Sequence, residues 1–184
     1  MRKSVLILVL VVALTGGSVS CASQSSDMPE EARAALYNAW GQIEIDNPRI
    51  SFSFRDNAGS PFNFRFYVLY NGVRISGVFL VIRTNHQGDV TRVSLSDIGN
   101  ISLNTRPTIS RGRAEAIARA ELGNEFGDRL VLLLFHEAEL VIELPYHDYD
   151  VSRLIWVLRS DSAALFAYVD AHSGEFLGYD STLI

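Results

Sequence analysis

The sequence predicts an α+β protein of two tandem small units, each a helix packed on an antiparallel β-meander. Three observations carry that expectation. A helical apolar spacing gives way twice to alternation with a period of two, over 64–94 and again over 153–179. Each strand-rich stretch is closed by hairpin residues, Asn71-Gly72 in the first and Asp170-Ala171-His172-Ser173-Gly174-Glu175 in the second. A polar linker, 98–109, separates the two. Such a duplication excludes a single catalytic barrel or a doubly wound parallel sheet.

The chain opens with a basic Met1-Arg2-Lys3, an apolar run at 5–14 and small residues before Cys21. This reads as an export signal over 1–20, too short to span a bilayer, which takes about 20 apolar residues. Lys and Arg number 16 against 21 Asp and Glu; without Arg2 and Lys3, 14 remain against 21, a net charge of −7. An acidic chain lacks the clustered cations that nucleic acid requires. Lys3 is the sole lysine, so the exported part has none, which excludes a Schiff-base or P-loop lysine.

Cys21 is the only cysteine. A lone thiol in an exported chain forms no internal disulfide, and lipidation resolves the conflict. Ser18-Val19-Ser20-Cys21 looks like a lipobox, with Ser18 where a leucine-like residue is usual. The sequence therefore predicts a lipid anchor at Cys21, followed by a polar tether over 21–26.

The first unit is expected over 27–97. Asp27 can cap a helix with Pro29 and Glu30 in its first turn, and Ala32, Ala35, Leu36, Ala39 and Trp40 give it one apolar face up to Gly41. Ile50, Phe52 and Phe54 then alternate with polar residues as a half-buried strand. After a turn cluster at 56–61, Phe64, Phe66, Val68 and Tyr70 point one way, opposite Asn63, Arg65 and Tyr67. Asn71-Gly72 turns the chain into a strand at 73–84 that is apolar on both faces, hence central, and a last strand occupies 89–95.

The second unit is expected over 110–184. Ser110 caps a helix over 111–122, stopped by Gly123, with Ala114, Ile117, Ala118 and Leu122 as its buried stripe. Strands follow at 130–135, 138–144, 154–158, 165–170 and 175–179. In the second of these, Ala138, Leu140, Ile142 and Leu144 face inward. The linker is polar enough to be exposed.

No constellation meets the requirements of catalysis. His136-Glu137 begins like a zinc-protease helix, but Leu140 stands where the second histidine belongs and the segment has strand periodicity. His136, His147, Asp148 and Asp150 are suitable zinc ligands by type without the dense spacing of a site. Glu137 and Glu139 share a strand face and read as solubilising. The aromatic run 52–66 lacks the interleaved cations of an oligonucleotide platform and reads as core. Arg65, Arg74, Arg83 and Arg92, nine residues apart, are placed to form a cationic strip, or to be neutralised by neighbouring carboxylates.

Four segments resemble a known module. Tyr70-Asn71-Gly72-Val73-Arg74-Ile75-Ser76-Gly77 looks like the propeptide strand ending Y-N-G-[IV]-x-V-x-G, and 84–90 resembles the turn that follows it. The helix from Ile109-Ser110 to Leu122-Gly123 is similar to the one that opens a PepSY domain, though Arg113 stands where glutamate is common. Tyr168-Val169-Asp170-Ala171-His172-Ser173-Gly174-Glu175 matches the PepSY ending. Over roughly 45–180 the order is that of the fungalysin/thermolysin propeptide followed by PepSY. The resemblance implies a cystatin-like or PepSY-like fold in both units and a module that assists and inhibits a thermolysin-like protease. With no catalytic domain in this sequence, inhibition would act in trans.

The expected protein is non-enzymatic, exported to the cell envelope and held by a lipid, or else, after ordinary cleavage of the signal, periplasmic or secreted. It would restrain or chaperone an exported metalloprotease or another envelope protein. A ligand or metal sensor, or a general interaction module, is the alternative. No cofactor, metal, catalytic residue or nucleic acid is expected, and the membrane is met through the lipid alone.

Overall fold

The computed structural model describes residues 28–43, 47–99, 101–126, 135–145, 151–160 and 165–181. Residues 1–27, with Cys21 and Asp27, and His147, Asp148 and Asp150 lie outside the described residues. Eight strands are described: β1 (Ile50–Asp56), β2 (Asn63–Tyr70), β3 (Val73–Thr84), β4 (Val90–Leu95), β5 (Glu137–Glu143), β6 (Arg153–Ser160), β7 (Leu165–Asp170) and β8 (Phe176–Ser181). Two helices, α1 (Glu30–Ala39) and α2 (Arg111–Phe126), accompany them.

The strands form one sheet, in the order β1-β2-β3-β5-β6-β7-β8, with β4 also on β3. This corrects the expectation of two tandem helix-on-meander units. The chain is α+β, but its two meanders are fused. Arg74 and Ile75 of β3 pair in parallel with Val141 and Ile142 of β5, while the other pairings are antiparallel. The physical reason lies in β3. It is 12 residues long, and β4 pairs only with Leu80 to Thr84. Two separate units would leave the first part of β3 as an unpaired apolar edge, which β5 covers.

Gly77 makes the sharing possible. Its φ of 70° suits glycine, and both Ser76 and Gly77 are exposed, so the alternation of β3 changes phase there. Val73 and Ile75 face the core before the bulge; Val78, Leu80 and Ile82 face it after. β3 therefore serves β5 on one side of the bulge and β4 on the other.

Both helices lie on the same side of the sheet. Ala32, Ala35 and Ala39 of α1, and Ala114, Ala118 and Leu122 of α2, belong to one continuous core with Phe66, Leu80, Leu158 and Val169. Small alanine side chains bring each helix close to the sheet. The helices differ from expectation at their ends. α1 begins after Pro29, without a side-chain cap, and runs past Gly41 as a 3-10 turn (Trp40–Gln42). In α2 the Arg113 N–H donates to Ser110 Oγ at 3.3 Å, as the sequence predicts, but the helix continues through Gly123 to Phe126.

The linker exposes its polar residues Ser102, Asn104, Arg106 and Thr108, as the sequence expects, and docks through its apolar ones. Ile101 is buried, and Leu103 and Ile109 pack on the core. The N–H groups of Thr108 and Ile109 both donate to the Ala171 carbonyl, at 2.9 and 3.1 Å, and Trp156 Nε1 donates to the Ile109 carbonyl at 3.2 Å. The expected strand at 130–135 falls on residues outside the description, except for the buried Phe135.

Candidate interaction face

Directly paired residues on adjacent strands project to one side of a sheet. Register therefore fixes which side chains populate the face opposite the helices. Ser53, Tyr67 and Phe79 are successive partners, as are Arg74, Val141 and Ile155, and Glu137, Arg159, Phe166 and Asp180. None of the described helices covers this side.

On β1–β3 the face is a stack of guanidinium groups on aromatic rings. Arg55 lies 4.8 Å from the Phe79 centroid and 5.3 Å from that of Tyr67. Arg65 lies 5.5 Å from Phe79, and the two rings are 5.8 Å apart. Both arginines also approach Asp56, at 3.2 Å from Arg55 and 3.8 Å from Arg65. Each such cation–π contact at a partly exposed site is worth about 0.5–1 kcal/mol.

Arg74 stitches the two meanders together. Its Nε and Nη2 donate to Glu139 Oε1 and Oε2, both at 2.7 Å, across the β3–β5 seam. Its guanidinium sits 5.1 Å from the Tyr67 centroid. The bond to Glu139 raises the Arg74 pKa further above its ordinary value, against the opposing pull of burial. Glu139 thus has a structural partner, and Glu137 has one too, in Arg159 at 3.3 Å.

The arginine strip divides. Arg65 and Arg74 are paired with carboxylates, the outcome the sequence favours. Arg83 and Arg92 instead stand directly opposite each other on β3 and β4. Among the described residues neither has an ion pair. Like charges at directly opposed positions destabilise a strand pair.

The second half of the face is acidic. Val141 and Ile155 are nearly fully buried on this side, so it has an apolar floor. Above them a shallow trough of about 240 Å³ is lined by Ser76, Glu143, Ile155, Val157, Tyr168, Leu177 and Asp180. Tyr168 Oη donates to Asp180 Oδ2 at 2.8 Å. Burial pushes the Tyr168 pKa up, and Asp180 and Glu143 add to the shift. The phenol therefore stays protonated and keeps the trough wall in place.

His136 is exposed just before β5, and its N–H donates to the Arg159 carbonyl at 3.0 Å. It precedes a strand, as its periodicity predicts. Its proposed co-ligands His147, Asp148 and Asp150 lie outside the described residues, and among those described no group of three or more His, Cys, Asp or Glu converges for a metal. A separate open cleft of about 510 Å³ is lined by Arg49, Asn71, Leu103, Asn104, Thr105 and Arg106.

Arg55, Tyr67, Phe79, Tyr168 and Asp180 did not stand out in the sequence. The signal for the first three was their phase, opposite to the partly buried Phe54 and the buried Phe66 and Val78. It was incomplete, because strict extension of the Tyr70–Val73 pairing sets Tyr67 against Ser76, and the bulge moves Phe79 there.

The motif segments have definite geometries. Asn71 (φ 49°) and Gly72 (φ 79°) form the β2–β3 turn. Asp170 closes the β7–β8 turn by accepting from the N–H groups of His172 at 2.9 Å and Ser173 at 2.7 Å. Burial alone would raise its pKa, but these donors lower it below the usual carboxylate value.

No family model matches the chain. No curated protein matches it. Among solved structures, the Bacillus megaterium YpeB C-terminal domain is similar, with a TM-score of 0.42 and 14% identity over 82% of this chain and 64% of that chain. This chain therefore spans less than two thirds of that one's length. The comparisons assign no family. No described helix is long and apolar enough to cross a membrane.

Proposed function

We propose that this is a non-enzymatic, exported PepSY-type binding protein, lipid-anchored through Cys21, that restrains or chaperones an envelope peptidase or another envelope protein. The observation that carries the reading is the face that no described helix covers, where arginines stacked on Tyr67 and Phe79 stand open to a partner. Arg and Tyr are favoured where proteins meet, because each offers area together with directed polar contacts. The hairpin and turn motifs support the PepSY part of the reading, and the signal-like segment with its lone cysteine supports the anchor.

The test is capture from an envelope extract on immobilised protein, with peptidase activity assayed in the eluate. The expected result is one exported peptidase whose activity falls when the protein is added, and weaker capture by Arg55→Glu/Arg65→Glu. Capture unaffected by these substitutions would remove the face from the proposal. For the anchor, metabolic palmitate labelling is expected to be lost in Cys21→Ser; retained label would refute lipidation there.

A second reading, a ligand-sensing module, is favoured by the cleft that brings Arg49 and Arg106 to one lining. Guanidinium groups there suit a small carboxylate or phosphate. Calorimetric titration with inorganic phosphate and acetate, with and without Arg106→Ala, tests it.

A further inference from the structure

The face that no described helix covers is electrically polar along its length. Beyond the Gly77 bulge it carries Arg55, Arg65, Arg83 and Arg92, with Asp56 as the acid paired to two of them. Across the seam it carries Glu137, Glu139, Glu143 and Asp180, partly neutralised by Arg74, which holds Glu139, and by Arg153 and Arg159. We infer that the face is self-complementary and that its occupant is a second copy of this chain, the cationic end of each copy meeting the acidic end of the other.

The arrangement follows from symmetry. A two-fold axis lying in the plane of the face, and passing through the Arg74–Glu139 seam, exchanges the two ends. It brings Arg83 and Arg92 of one copy toward the acidic half of its partner. In the monomer these two arginines are directly paired strand positions with no ion pair among the described residues, so a facing carboxylate surface offers both a counter-charge. A second copy is favoured over an unrelated acidic protein because the chain itself carries both the cationic and the acidic end of the face.

The size of the face sets the strength. Strands about 4.8 Å apart and about 20 Å long give the face roughly 600 Å² per copy. The total of about 1,200 Å² is at the lower limit of specific interfaces. With charged groups dominating, the dimer is weak and sensitive to salt. This inference does not rest on the proposed function, since it concerns the purified chain alone; an envelope partner at this face would compete with the second copy.

Sedimentation velocity of the full-length chain in non-ionic detergent, carrying Cys21→Ala to remove its thiol, is the test. Dimer is expected at about 100 µM protein in low salt, and monomer at about 0.5 M salt, where screening acts within about 5 Å. Arg83→Glu/Arg92→Glu and Glu137→Arg/Glu143→Arg are each expected to be monomeric, and an equal mixture of the two to recover dimer. Circular dichroism verifies that each variant is folded, and where the glutamate variant is not, Glu137→Arg alone replaces it. A wild type that is monomeric in low salt overturns the inference. So does a dimer that survives the arginine reversal, or a mixture of folded variants that stays monomeric.

Discussion

Asp170 links a short sequence motif to a titration. Its carboxylate is held by N–H groups of His172 and Ser173, and its pKa is lowered in the folded chain. An unfolded aspartate takes up its proton near pH 4, at about 3.9. The unfolded state therefore binds that proton first as pH falls, so the stabilisation is complete above about pH 4 and drains below it. Asp170→Ala is expected to lower stability at neutral pH by about 1–2 kcal/mol and to flatten the acid limb. Urea unfolding between pH 3 and 7 measures both, and acid limbs of equal slope would refute the role. This turn was legible in advance, because aspartate, glycine and their spacing name its geometry. The stacking of Arg55 on Phe79 was not, since it depends on a bulge whose only sign is Gly77.

At the scale of the element, the strands were legible and their assembly was not. The alternation of Phe64, Phe66, Val68 and Tyr70 marks both the existence of β2 and its buried side. Antiparallel neighbours announce themselves through a turn such as Asn71-Gly72. The parallel pairing of β3 with β5 has no turn to announce it, and nothing near Arg74 or Val141 names the other. The seam is testable by a double-mutant cycle on Arg74→Ala and Glu139→Ala. A coupling of about 0.5–1 kcal/mol is expected for a bidentate pair that is partly exposed. Additive effects would mean that the two side chains only share a location.

For the whole molecule, the decisive fact is one core beneath two meanders. A duplicated sequence pattern reports that two similar stretches exist, but not whether their sheets stay apart; the unpaired length of β3 decides that. The continuity of Phe66 with Leu158 in a single cluster predicts that both halves unfold together. Trp40 beside Phe52 in the first half and the buried Trp156 in the second are natural reporters. Trp40→Phe and Trp156→Phe are each expected to give a fluorescence midpoint that coincides with the far-ultraviolet dichroism of the same protein. Separate midpoints for the two halves would restore a two-unit description.

The seam also sets the order of events in time. Arg74 and Glu139 lie 65 residues apart in sequence, whereas each hairpin joins near neighbours. Closing so long a loop is slow relative to forming a hairpin, so the two meanders assemble first and the seam zips last. Contacts made after the rate-limiting barrier govern escape from the native state and leave its formation unchanged. Breaking the Arg74–Glu139 pair should therefore quicken unfolding about fivefold for each ~1 kcal/mol removed, while refolding keeps its pace. The parallel stitch is thus a latch on the lifetime of the folded molecule.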